Sequence, residues 1–252
     1  MGVILAVTRI AILATVYGFF AGVGALIHLQ FRNDEKARLQ RLVRATQYLA
    51  KISCRVLNIR ARVEGAANIL PGCLIVANHV GTPDILVLAA CVPMCFVARA
   101  DFSTWPFLGL LVRLGETLLI DKTRRQDMPA VVEKMRARLQ QNVAVTVFPE
   151  GGVTNGEDVA PFRSLAFASA VAARRRVTPV ALRYHDARRP SIACWQGANF
   201  TGHIWAILKN PRLDVSVSVL PALPPGEDRK VLARLCHEQV RGAWRKLGST
   251  NA

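Results

Sequence analysis

The sequence predicts an α/β fold: a single domain with a mixed, mostly parallel sheet flanked by helices, preceded by an N-terminal membrane helix and a basic amphipathic helix. Three observations predict it. From residue 59 onward, short apolar, β-branched runs alternate with segments of helical spacing, the pattern of a sheet covered on both faces. The chain has 252 residues, enough for one full core, and shows no internal repeat and no linker long enough to split it. Ahead of the alternating region lies an uncharged apolar run, then a stretch crowded with arginine. The expected division is an anchor over 1–30, an amphipathic helix over 31–57 and a domain over 58–252.

The uncharged run is "IAILATVYGFFAGVGALI" (10–27), and with His28 and Leu29 it reaches 20 residues. At about 1.5 Å per residue that is about 30 Å, the thickness of a hydrocarbon core. A spanning anchor, a helix lying in one leaflet and a cleaved signal are the three readings. A signal's apolar region is usually about 7–15 residues, shorter than this run, and the spanning anchor is the expectation. Arg32, Lys36, Arg38, Arg41 and Arg44 follow it, against Arg9 before it, which puts the following domain on the cytoplasmic face. Residues 34–57 then read as a helix with Leu39, Leu42, Val43, Leu49, Ile52 and Val56 at roughly helical spacing.

The domain's elements follow in order. "IRARVEG" (59–65) and "CLIVAN" (73–78) read as strands, with a helix from Pro83. "MCFVAR" (94–99) is strand-like, 105–115 a short helix, and "TLLID" (117–121) a strand. A helix over 127–142 leads to the strand "VAVTVF" (143–148), and a helix over 163–175 to the strand "TPVALRY" (178–184). "LDVSVSVL" (213–220) is the last strand, and 227–246 the closing helix.

Composition narrows the function classes. A net charge of +16 with 52% apolar residues points to an anionic partner and to lipid contact. Nucleic acid is the weaker candidate, because aromatics are 7% of the chain and no reading element accompanies the "ARRR" run (173–176). Six cysteines without a CxxC pair fit free thiols in a reducing compartment. His185, His203 and His237 lack metal-ligand spacing, so no metal is expected, and no Gly-x-Ser-x-Gly elbow marks a serine hydrolase. Trp195 and Trp205 read as interfacial anchors or as core, and core is the expectation.

Two loops carry chemistry. In "CLIVANHVGTPDILVLAAC" (73–91) an imidazole and a carboxylate stand five residues apart. On one helix that spacing is about 140° of rotation, so the two share a site only where geometry changes. Thr82-Pro83 reads as the N-cap and first residue of a helix, which puts His79 in a loop and Asp84 in the first helical turn. The loop can fold back so that Asp84 accepts from one ring nitrogen and leaves the other basic and outward, as a general base requires. A histidine near an aspartate is by itself more often structural. In "VFPEGGVTNGEDVAPF" (147–162) another strand ends on Glu150-Gly151-Gly152, at the sheet edge where ligands of open α/β sheets bind. Taken alone, this is more often a plain glycine turn.

Together the two loops resemble the glycerolipid acyltransferase family typified by 1-acylglycerol-3-phosphate acyltransferase. Asn78-His79-x4-Asp84 is similar to its first block, 96–122 to its second, Phe148-Pro149-Glu150-Gly151 to its third and "TPVAL" (178–182) to its fourth. The resemblance covers roughly 58–220. It implies a membrane enzyme on the cytoplasmic face of a bacterial inner membrane, transferring an acyl group from a thioester of acyl carrier protein or coenzyme A to a lysolipid hydroxyl. No cofactor is implied. His79, steadied by Asp84, would be the base; Glu150, Gly151 and Gly152 would form the acceptor site, with Arg99 and Lys122 as partners for its anionic head. Three positions depart from the family. Gly81 stands where the first block often has serine, Lys122 replaces an arginine, and Gly152-Val153 replaces Thr-Arg in the third block. The run "FPEGGVTNGEDVAPFRS" looks like the branch that includes lyso-ornithine-lipid acyltransferases, and Arg163 is the candidate for the missing cation. A non-catalytic membrane-surface protein keeping the fold is the other reading.

Overall fold

A computed structural model describes residues 2–100, 108–121, 128–186, 190–195 and 199–249. Its strands are β1 (Ile59–Glu64), β2 (Leu74–Ala77), β3 (Met94–Arg99), β4 (Leu118–Ile120), β5 (Ala144–Val147), β6 (Val177–His185) and β7 (Leu213–Val219). They form one sheet in the order β1-β7-β6-β2-β5-β3-β4. Neighbours run parallel except β6 and β7, which are antiparallel. The mixed, mostly parallel sheet is therefore as the sequence predicts.

Helices cover both faces, which is why the central strands are apolar at successive positions and not at alternate ones. The helices of the domain are α3 (Thr82–Cys91), α4 (Leu108–Leu114), α5 (Met128–Gln140), α6 (Phe167–Ala173), α7 (Phe200–Lys209) and α8 (Arg229–Ser249), preceded by α1 (Gly2–Gln30) and α2 (Glu35–Val56). Ile75 and Ala77 of β2 pack with Val87 of α3 and Ile207 of α7. Leu74 and Val76 of the same strand pack on the other face with Met135 of α5, Phe167 of α6 and Cys236 of α8. All six cysteines are free.

Helix α1 is longer than the apolar run and lies along the domain. Ala6, Arg9, Tyr17, Phe20 and Gly24 are buried along one stripe, while Ile4, Phe19, Leu26 and Leu29 are exposed on the rest of its surface. Arg9 fastens its first half. The guanidinium donates to the carbonyls of Val56 (2.9 Å), Leu208 (2.8 Å) and Asn210 (2.6 Å). These carbonyls end α2 and α7, where a cation meets the negative pole of each helix. Helix α2 starts on Asp34, which accepts from the Ala37 amide at 2.9 Å, and buries Leu39, Leu42, Val43 and Leu49.

Three expectations change. Helix α7 was not read from the sequence. Trp205, expected in the core, is exposed on that helix with the Lys209 ammonium over its ring. The cap of α3 is Gly81, with Thr82 as first helical residue, one position earlier than expected. Residues 105–107 of the expected short helix and Lys122 lie outside the described residues.

Candidate active site

Strand β2 ends at Ala77, and Asn78 continues its pairing with a side chain. The Asn78 amide donates to the Leu182 carbonyl at 3.0 Å and accepts from the Leu182 amide at 2.8 Å. The chain thus leaves the sheet at a fixed point, and His79 is the first residue free to turn away. Gly81 has no side chain to cap α3, so the capping is done from inside the helix. Asp84, the third helical residue, reaches back to accept from the Gly81 amide at 3.0 Å and the Val80 amide at 2.7 Å. The same oxygen, Oδ2, receives Nδ1 of His79 at 2.8 Å. The other oxygen, Oδ1, accepts from the Tyr184 hydroxyl at 2.6 Å. Asp84 is completely buried, and these partners satisfy both of its oxygens.

With Nδ1 committed, Nε2 is the free nitrogen of His79, and among the described residues no protein group bonds it. The His79 side chain is 17% exposed, and its ring lies flat on Phe148, centroids 4.0 Å apart. The backbone is held as firmly. The Thr154 amide and hydroxyl both donate to the His79 carbonyl, at 2.9 and 3.1 Å.

Glu150 joins the two loops. Its Oε1 accepts from the His79 amide at 2.5 Å, and its Oε2 from the Ala160 amide at 2.8 Å. Burial pushes its carboxyl up to about 7, against the pull of those two amides. Its first task is therefore to hold the histidine loop. Gly151 follows with φ +84°, and a Cβ there would sit 2.6 Å from the Arg163 guanidinium carbon. Two constraints thus require glycine at 151, whereas at Gly152 a Cβ would meet nothing within 4 Å among the described residues. Arg163 is exposed, packs its guanidinium against Gly151, and is tied back by its amide to the Pro149 carbonyl at 2.8 Å.

The structure therefore brings His79, Asp84, Glu150, Gly151, Gly152 and Arg163 to one edge of the sheet. Arg99 is the exposed last residue of β3 on that edge. Among the described residues no group of three His, Cys, Asp or Glu side chains is placed to hold a metal. Sequence reasoning missed Tyr184 and Thr154, and it named Asn78 and Phe148 as motif residues without their roles. A hydroxyl and an amide at the carboxyl ends of adjacent apolar strands were the available signal.

The geometry also explains Gly81. A Cβ at this position would lie 2.0 Å from the Ala193 carbonyl oxygen. Residues 190–195 cross directly over the histidine loop, with the Trp195 amide donating to the Val80 carbonyl at 3.0 Å. Backbone fills the space a serine would need.

A family model described as Acyltransferase matches residues 60–183. The chain is 34% identical over 208 residues to a lyso-ornithine lipid O-acyltransferase of Pseudomonas aeruginosa, covering 80% of this chain and 78% of that one. This chain belongs to the acyltransferase family. It is also 30% identical over 203 residues to a 1-acyl-sn-glycerol-3-phosphate acyltransferase of Neisseria gonorrhoeae, covering 79% of this chain and 80% of the relative. Its fold is that of the 1-acyl-sn-glycerophosphate acyltransferase of Thermotoga maritima, with a TM-score of 0.73 over 98% of this chain and 96% of that one at 21% identity. Family membership and the predicted sheet therefore agree.

Proposed function

We propose that the acyltransferase is a membrane-bound lysolipid O-acyltransferase, taking a fatty acyl group from a thioester and placing it on the free hydroxyl of a 1-acyl lysolipid. One observation carries this reading: a histidine whose Nδ1 is fixed on a buried carboxylate while Nε2 faces outward at the ligand-binding edge of the sheet. In the reaction, Nε2 takes the proton of the lysolipid hydroxyl as its oxygen attacks the thioester carbonyl. The C–S bond breaks, and the imidazolium returns the proton to the leaving thiolate. Asp84 stabilises the imidazolium between these steps. General-base help of this kind is typically worth about 10²–10⁴ in rate.

The donor is acyl carrier protein or coenzyme A, both acidic, which suits a chain of net charge +16. Arg163, and Arg99 and Lys122 with it, supply cation to the acceptor's head in place of the arginine that the third block lacks. The relatives carry two acceptor names, lyso-ornithine lipid and 1-acylglycerol-3-phosphate. Arg163 suits the carboxylate of the first and the phosphate of the second. The exposed apolar side of α1 reaches the acceptor's leaflet, and the basic residues of α2 meet its anionic surface. Arg9 ties the first half of α1 to the domain, and the helix is long and apolar enough to cross a hydrocarbon core.

The test is product mass spectrometry with the full chain in vesicles, offered a panel of lysolipids and both donors. A new ester from at least one lysolipid, matched by an equal release of thiol, is expected. Saturable lipid binding with no thioester consumed across the whole panel would favour the non-catalytic reading instead.

A further inference from the structure

We propose that Tyr184 is a positioning residue for the base: its hydroxyl, bonded to the free oxygen of Asp84, sets the pH at which the His79 ring gives up its proton. The inference rests on the reading of His79 as base, and it adds a third member from a different strand to the pair that the sequence shows.

The geometry divides the aspartate in two. Oδ2 receives His79 Nδ1 and the amides of Val80 and Gly81. Oδ1 has Tyr184 at 2.6 Å, a short bond of the kind formed to a carboxylate. Tyr184 sits near the end of β6, the strand that Asn78 fastens to the end of β2, and its side chain is buried. Burial together with the carboxylate holds the phenol well above its ordinary range, so it stays protonated and always donates.

A donor on Oδ1 draws negative charge away from Oδ2. Without it, the charge shifts toward the oxygen that faces the imidazolium, and the ring keeps its proton to higher pH. Fewer molecules then carry a free base at a given pH, and the acid limb of the rate profile moves upward. Proton demand moves while substrate binding does not.

Other titrating groups face this chain and have to be separated from it. Cys54 of α2 and Cys194 of the segment after β6 are pushed up by burial, to about 12 and about 11. His203 of α7 is pushed down by burial to about 4. Glu150, pushed up by burial to about 7, is the neighbour closest to neutrality; it accepts from the His79 amide, and its charge and that of Asp84 repel each other. A rate profile alone would mix Glu150 with His79, so the ring itself has to be read.

The experiment is a pH titration of ¹⁵N-histidine signals in the full chain held in nanodiscs, with the His79 signal identified by its absence from His79→Ala. In Tyr184→Phe the midpoint of the His79 ring is expected to rise by about half a pH unit or more. The acid limb of kcat moves with it, and KM for both substrates holds. With 3-fluorotyrosine at position 184, a stronger donor that keeps the ring, the midpoint moves the opposite way. In the Asp84→Asn background, Tyr184→Phe leaves the midpoint unchanged. A midpoint that ignores both changes at 184, or a shift that persists in the Asp84→Asn background, overturns the proposal. The ring titration needs no turnover, so failure of the relay and failure of the acyl-transfer reading are told apart.

Discussion

The two loops at the carboxyl edge of the sheet are built in opposite ways. In the loop after β2 the polar groups are spoken for: both Asp84 oxygens, the His79 amide and the His79 carbonyl all have partners. In the loop after β5, Gly152 is exposed, with no neighbour for a Cβ among the described residues, and Arg163 is exposed. Glu150 belongs to the second loop by sequence and to the first by its bonds. Under the proposed function, the contrast would place the transfer chemistry in a buried network and leave the acceptor to side chains that can be exchanged without disturbing it. Relatives named for different acceptors are what such an arrangement allows.

The sharpest way to break the comparison is at its centre. His79→Ala is expected to lower acyl transfer by about 10² or more while the protein stays folded, with a melting temperature lowered only by the loss of one donor to buried Asp84. Undiminished turnover would mean that the fixed loop is scaffold only.

Next comes Gly81→Ser, which restores the residue common in the family. Here it drives a Cβ into the Ala193 carbonyl and has to lift the 190–195 segment. Such overpacking costs about 1–3 kcal/mol of stability, and a shifted histidine loses about tenfold or more in kcat. A variant as stable and active as the parent would show that the crossing segment is not seated as described.

Glu150→Gln probes the join between the loops. The folded carboxyl at about 7 lies above its ordinary 4.5, so the folded protein holds that proton across the window between them. Stability from this group is therefore greatest below 4.5 and declines as pH rises through 7, by a few kcal/mol at most. Chemical denaturation at pH 5 and pH 8 should show that decline reduced in Glu150→Gln. Equal slopes in parent and variant would mean that the carboxyl titrates as an exposed one does.

The smallest effect is expected on the open side. Arg163→Gln should raise KM for an acceptor with an anionic head by about fivefold or less, the range of one exposed cation, and leave kcat and the uncharged-head acceptors alone. A fall in kcat with KM unchanged would move Arg163 from the open side of the comparison to the closed one.

Much of this was legible in the sequence because it follows from local rules. The strands and most helices announce themselves by period, and His79 and Asp84 by a strand-to-helix junction that only a loop can span. Tyr184 was not legible, since its partner is 100 residues away and the contact exists only through the β2–β6 pairing. Helix α7 (Phe200–Lys209) was missed although its starting signal was present: Asn199 caps it, accepting from the Gly202 amide at 2.8 Å. Gly81 read as a missing hydroxyl. Only the crossing of the 190–195 segment shows it as a place where backbone needs room.

In the proposed mechanism His79 moves a proton and never carries the acyl group. A rapid-quench single turnover with acyl donor in excess and no acceptor, followed by intact-protein mass measurement, tests it most directly. The account predicts no burst of free thiol and no acyl mass on the chain until lysolipid is added, when thiol and ester appear together. A stoichiometric burst, with a fatty acyl group covalently on the protein in the absence of acceptor, would contradict it.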